Sequence, residues 1–69
     1  MTNSTIRLVQ ENIKKYRKQK GLTQLQLSVM AEISKDYVVA IECGKRIPSL
    51  KRLIQIADAL KIDIKNLFE

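Results

Sequence analysis

A short pattern recurs along this chain and leaves it little freedom in how to fold. An apolar residue precedes a residue with a short oxygen-bearing side chain, and a second apolar residue follows four positions after that one. Leu22/Thr23/Leu27, Ile33/Ser34/Val38, Pro48/Ser49/Leu53 and Ile62/Asp63/Leu67 all fit it. In each set the middle residue can accept a hydrogen bond from the backbone of the first helical turn, while the two apolar residues clasp one another across the cap. Thr23 and Gln26 add a capping box, since each can satisfy the other's backbone. The pattern predicts helices starting near Thr23, Ser34, Ser49 and Asp63. Between Ala31 and Ser34 only Glu32 and Ile33 remain, so the second and third helices join by a tight turn and cross steeply.

The rest of the chain continues this organisation. Residues 2–5 offer several N-cap candidates for a first helix. Over about 6–19 the apolar residues Ile6, Val9, Ile13 and Tyr16 fall at spacings that place them on one helical face. Lys14, Lys15, Lys18 and Lys20 lie mostly off that face. Gly21 ends this helix and Gly44 the third, and Pro48 cannot continue a helix into the loop before it. The fourth helix runs from 49 to about 60, with Leu50, Leu53, Ile56, Ala57 and Leu60 expected on its inner side. A last one or two turns span 63–68. No segment alternates as a strand does. The expected fold is all-α, five helices in a single domain over 1–69, with a helix-turn-helix core at 23–43.

A chain of 69 residues needs good caps and a helical core to be stable without staples. The one cysteine cannot pair within the chain, and without histidine there is no Cys/His set for zinc, so no metal and no cofactor is expected. Those features suit a reducing compartment. No apolar run approaches a membrane span, and the N-terminal residues lack a signal pattern, so no membrane association is expected. The net charge of +6 favours polyanions. Its distribution is uneven: residues 1–20 carry +5, residues 21–44 carry −2, and residues 45–69 carry +3. Bases flank the central pair of helices and are scarce within it.

On a helical wheel for 34–43, Val38, Ile41 and Ser34 share one side with Glu42 close by. Asp36, Val39, Ala40 and Cys43 share the other. Val38 and Ile41 should bury against Leu27 and Ala31 of the second helix. The outward side then carries short residues, with Lys35 and Tyr37 at its margins, and such a face can enter a major groove closely. An ordinary exposed helix face has the same appearance.

The full set of residues narrows this reading. Leu22-Thr23-Gln24, Leu27, Ala31, Ile33-Ser34, Tyr37-Val38, Ile41-Glu42, Gly44-Lys45-Arg46, Pro48-Ser49-Leu50, Leu53, Ile56-Ala57, Leu60 and Leu67-Phe68 resemble the Xre family. These are the lambda-repressor-like helix-turn-helix domains of phage repressors, Cro proteins and restriction–modification controllers. The resemblance spans roughly residues 6–68. It implies a five-helix domain, a homodimer on a near-palindromic operator, a recognition helix at 34–43 and a bacterial or phage-host cytoplasmic setting at the nucleoid. It also implies roles. Gln24 and Ser34 would contact phosphate. Lys35, Asp36, Tyr37, Val39 and Ala40 would read base edges. Lys45 and Arg46 would grip the backbone or an adjacent groove. Arg17 and Glu42 would form a partly buried salt bridge. Apart from the resemblance, the basic charge of the first helix makes Lys14 and Lys18 candidates for further phosphate contacts. Two departures stand out: Ser28 where the family often has alanine, and Glu32 where it often has a glycine able to take a positive φ.

Each role has a structural counterpart. Lys35 can donate to guanine O6 and N7, and Asp36 can accept from cytosine N4. Asp36 equally suits a helix N-terminus on charge grounds. Val39 and Ala40 can meet thymine methyls or simply be small and exposed. Tyr37 can stack on sugar, donate to phosphate or pack half-buried. Cys43 reads as a space-filler.

Ile47, Ile54, Ile62, Ile64 and Phe68 exceed what one small core can absorb, so part of this set is expected at a dimer interface, while Ile64 or Phe68 can close the core instead. The leading expectation is a homodimeric transcriptional regulator of double-stranded DNA, with no small-molecule ligand and a regulatory protein as a further candidate partner. The alternative is a protein-binding module of the same fold, an antitoxin or anti-repressor target, burying its C-terminal apolar patch against another protein. An enzyme is not expected, since there is no histidine, no Gly-rich phosphate loop and no facing pair of acids.

Overall fold

Three of the four capping residues form the bonds that the pattern requires. The structure is a computed structural model and describes residues 3–69. Thr23 caps α2 (Gln24–Ala31), its hydroxyl accepting from Gln26 N at 3.0 Å while Gln26 Oε1 accepts from Thr23 N at 2.8 Å. Ser34 caps α3 (Lys35–Glu42), accepting from Tyr37 N at 3.1 Å. Ser49 caps α4 (Leu50–Leu60), accepting from Arg52 N at 3.3 Å. The first helix, α1, covers Asn3–Gln19. Of its cap candidates, Asn3, Ser4 and Thr5 lie inside the helix, and Thr2 lies outside the described residues.

The fifth helix of the sequence reading is instead a 3-10 helix, Ile64–Phe68, so the described residues form four α-helices and a closing 3-10 turn. Asp63 stands at its N-cap position, but its side chain makes no capping bond, and Asn66 N donates to Asp63 O at 2.9 Å in the tighter i+3 pattern. A segment this short gains too few i+4 bonds to offset helix nucleation, and the 3-10 form is the usual outcome. Its position is set from outside. Asn12 Nδ2 donates to Leu67 O at 2.9 Å and to Glu69 O at 3.0 Å, and the Leu67 side chain is fully buried.

All four α-helices end in one way. An N–H two or three residues past each end reaches back to a carbonyl five residues earlier: Leu22 to Arg17, Ile33 to Ser28, Lys45 to Ala40 and Ile62 to Ala57. This Schellman ending needs a left-handed residue just before that N–H. Gly21 and Gly44 supply it at φ +71° and +79°, whereas Glu32 and Lys61 adopt φ 59° and 56° despite carrying side chains. Leu22, Ile33 and Ile62 each close one helix and precede the next cap, and all three pack partly buried against the core. One apolar side chain thus serves two helix ends, which is why the connections are so short.

The core gathers Val9 and Ile13 from α1, Leu27 and Ala31 from α2, Val38 and Ile41 from α3, Leu53, Ile56, Ala57 and Leu60 from α4, and Leu67. Burying a leucine or isoleucine this fully stabilises by about 1.5–3 kcal/mol. Val38 and Ile41 are buried as the wheel requires, which holds the opposite side of α3 toward solvent. Leu50 departs from its expected inward position: it is 67% exposed. It is the first residue of α4 and sits at the margin of the stripe centred on Leu53, Ile56 and Leu60, with Ile54 exposed beside it.

Candidate nucleic-acid interface

The outward side of α3 is built as its burial demands. Lys35 and Asp36 are exposed in its first turn, and Val39 and Ala40 are half-buried further along. Ser34 is exposed, with its hydroxyl engaged as the cap. Lys14 and Lys18 on α1 and Lys45 and Arg46 in the loop after α3 are all exposed.

Behind this face lies a polar junction centred on Glu42. Its carboxylate accepts from Arg17 Nε at 2.7 Å, from Arg17 Nη2 at 3.0 Å and from Gln24 Nε2 at 3.1 Å. Arg17 Nη1 also donates to Leu22 O at 2.7 Å. The side chains of Arg17 and Glu42 are only 10% and 2% exposed. One carboxylate therefore ties the C-terminal end of α3 to α1 and to the first turn of α2. Gln24, expected as a phosphate contact, spends one amide N–H on this junction.

Tyr37 does not lie with Lys35 and Asp36. Its ring is half-buried against the core, its hydroxyl accepts from Ser49 N at 3.4 Å, and the Arg46 guanidinium sits over the ring with its carbon 5.0 Å from the centroid. It faces the groove between α3 and α4 lined by Ile33, Arg46, Ser49 and Arg52.

The expected dimer set also divides. Ile47, Ile54 and Phe68 are exposed, whereas Ile62 and Ile64 pack partly buried against the core. Leu50 joins the exposed group. Two features escaped the sequence reading. Gln10 is buried and its Nε2 donates to Arg46 O at 2.8 Å, which pins the loop to α1; an uncharged polar residue interrupting the Val9/Ile13 stripe was its only signal. Leu25, Val29 and Met30 form a second, exposed apolar face on α2, with Val29 at 69% exposure. Their spacing with Leu22 is helical, so that face was visible in the sequence.

A short second helix, a tight turn and a third helix with one face buried and the other offered outward define a helix-turn-helix protein. Comparison with known proteins agrees, since a helix-turn-helix family profile matches residues 13–67. The immunity repressor protein of Bacillus phage phi105 is 41% identical over 56 residues, covering 81% of this chain and 39% of the repressor. The restriction–modification controller protein C.AhdI of Aeromonas hydrophila superposes with a TM-score of 0.88 at 28% identity, covering 97% of this chain and 100% of the controller. SinR of Bacillus subtilis, a master regulator for biofilm formation solved in complex with DNA, superposes with a TM-score of 0.83 at 29% identity, covering 88% of this chain and 98% of that one. The chain belongs to the helix-turn-helix family of transcriptional regulators, of the Xre type. It spans 51% and 39% of the length of the first curated relatives it matches.

Proposed function

We propose that this chain is a sequence-specific DNA-binding domain of a transcriptional regulator, acting in the cytoplasm and forming a homodimer on a near-palindromic operator. In this reading 1–69 acts as one domain and helix 34–43 enters the major groove. The observation that carries it is the two-sided build of α3. Val38 and Ile41 are buried, while Lys35 and Asp36 are exposed between two basic flanks, Lys14 and Lys18 on one element and Lys45 and Arg46 on the other. The central segment is net acidic, so its residues suit base discrimination, and affinity falls to the flanks. That the phage phi105 relative is named an immunity repressor supports repression as the mode of action.

Selection of bound duplexes from a random library, with a mass measurement of the complex, tests this reading. The expected product is an inverted repeat with half-sites about 34 Å apart, bound by two copies. Failure to enrich an inverted repeat overturns it. The exposed Ile47, Leu50, Ile54 and Phe68 support a second reading, a protein-binding module. A stoichiometric complex with another protein that survives high salt, without salt-labile DNA binding, would favour that one.

A further inference from the structure

Arg46 is the most thoroughly held of the exposed basic residues. Its N–H donates to Ala40 O at 3.2 Å beside that of Lys45 at 2.9 Å, and its carbonyl accepts from buried Gln10 at 2.8 Å. Its guanidinium lies over the Tyr37 ring. Tyr37 is itself fixed by the core below and by Ser49 N, which donates to its hydroxyl. Yet among the described residues the Arg46 guanidinium has no carboxylate and no hydrogen-bond partner. Arg17 is spent on Glu42, and Arg52 on the Gln55 side chain at 2.9 Å.

We infer that Tyr37 and Gln10 are positioning residues for Arg46, and that Tyr37 is not a base reader. This rests on the DNA-binding reading above. A guanidinium stacked on a ring keeps its in-plane N–H donors free, and those donors match two phosphate oxygens at once. Holding backbone and side chain in place beforehand removes much of the entropy that a long side chain loses on binding. The arrangement therefore makes Arg46 a pre-set phosphate clamp at the end of the recognition helix. Tyr37 supplies the platform and Gln10 the anchor from α1. A tyrosine in the first turn of a reading helix would ordinarily be expected to shape sequence preference. Here its loss acts on affinity for every sequence alike.

The test is a double-mutant cycle on the full chain with the selected duplex. Arg46→Ala, Tyr37→Leu and the double variant are titrated across a salt series and against a panel of single-base operator changes. Arg46→Ala is expected to weaken binding and to lower the slope of log K against log salt by about 0.9. Tyr37→Leu is expected to weaken binding about tenfold, between the values for an exposed and a desolvated stacked cation. The double variant should be no weaker than Arg46→Ala alone, and the ranking of operators should stay unchanged in all three. Tyr37→Phe keeps the ring and should recover most of the loss, while Gln10→Leu should resemble Tyr37→Leu.

Circular dichroism melts identify any variant that has merely lost its fold, and the Phe variant keeps the cycle informative in that case. Additive losses, or a changed operator ranking in Tyr37→Leu, overturn the inference while the DNA reading stands. Failure of the unaltered chain to bind any duplex overturns both.

Discussion

Arg17 and Glu42 meet as a bidentate pair, Nε to Oε2 at 2.7 Å and Nη2 to Oε1 at 3.0 Å, between α1 and the last residue of α3. With Gln24 and the Leu22 carbonyl joining them, every charged atom of the junction has a partner. Removing one member strands the other in a site that water hardly reaches. Glu42→Ala or Arg17→Ala is therefore expected to cost about 3–5 kcal/mol, read as a lower urea midpoint. The apolar pair Arg17→Met with Glu42→Leu should cost clearly less than either single change, because no charge is left uncompensated. A double variant less stable than both singles would contradict this account.

Glu32 holds φ 59° in the turn of the helix-turn-helix, where a side chain is sterically penalised. Its backbone N–H is already used, donating to Val29 O at 3.3 Å, and its side chain is exposed. Glu32→Gly should therefore raise stability by about 0.5–1 kcal/mol, a rise in Tm of a few degrees for a domain this size. A lower Tm would show that the carboxylate makes a stabilising contact after all.

The caps separate by geometry. Thr23→Ala and Ser34→Ala each remove a formed bond and should cost about 1 kcal/mol in chemical denaturation. Asp63→Ala removes no capping bond and should stay within about 0.5 kcal/mol. Equal losses at all three positions would mean that Asp63 caps in solution.

Base contacts and phosphate contacts should part company in binding experiments. Lys35→Ala is expected to relax preference at one operator position, costing about 1–3 kcal/mol on the selected site and little on a scrambled one. Lys14→Ala and Lys45→Ala should weaken all sequences alike and flatten the salt dependence by about 0.9 per phosphate released. A Lys35 variant that lost affinity evenly across sequences would move that residue to the phosphate group.

Ile54→Lys adds a charge to the exposed apolar residues Ile47, Leu50, Ile54 and Phe68, part of which the proposed homodimer would bury. In sedimentation it should shift the chain toward monomer and weaken operator binding cooperatively. The charge on Leu25→Lys, at the separate apolar face of α2, should leave the proposed dimer intact.

How much of this was legible beforehand depends on the range of the forces involved. Thr23, Ser34 and Ser49 cap their helices, and Gly21 and Gly44 end theirs, because these bonds close within five or six residues and need no distant partner. The faces of α1 and α3 followed from helical period alone, with Val9, Ile13, Val38 and Ile41 inward. So the sequence by itself determined the helix-turn-helix and which side of its third helix is free. Tertiary structure decided the rest. A wheel gives the direction of Leu50 but not whether anything stands there to cover it, and it is left largely exposed. Ile62 and Ile64 pack against the core on elements far from them in sequence, and the closing turn that Asn12 holds is 3-10. Tyr37 packs half-buried with its ring beneath the Arg46 guanidinium, and Gln10 reaches across the fold to hold that arginine's carbonyl. Both depend on loops brought together only when the core closes, so no local rule could have placed them.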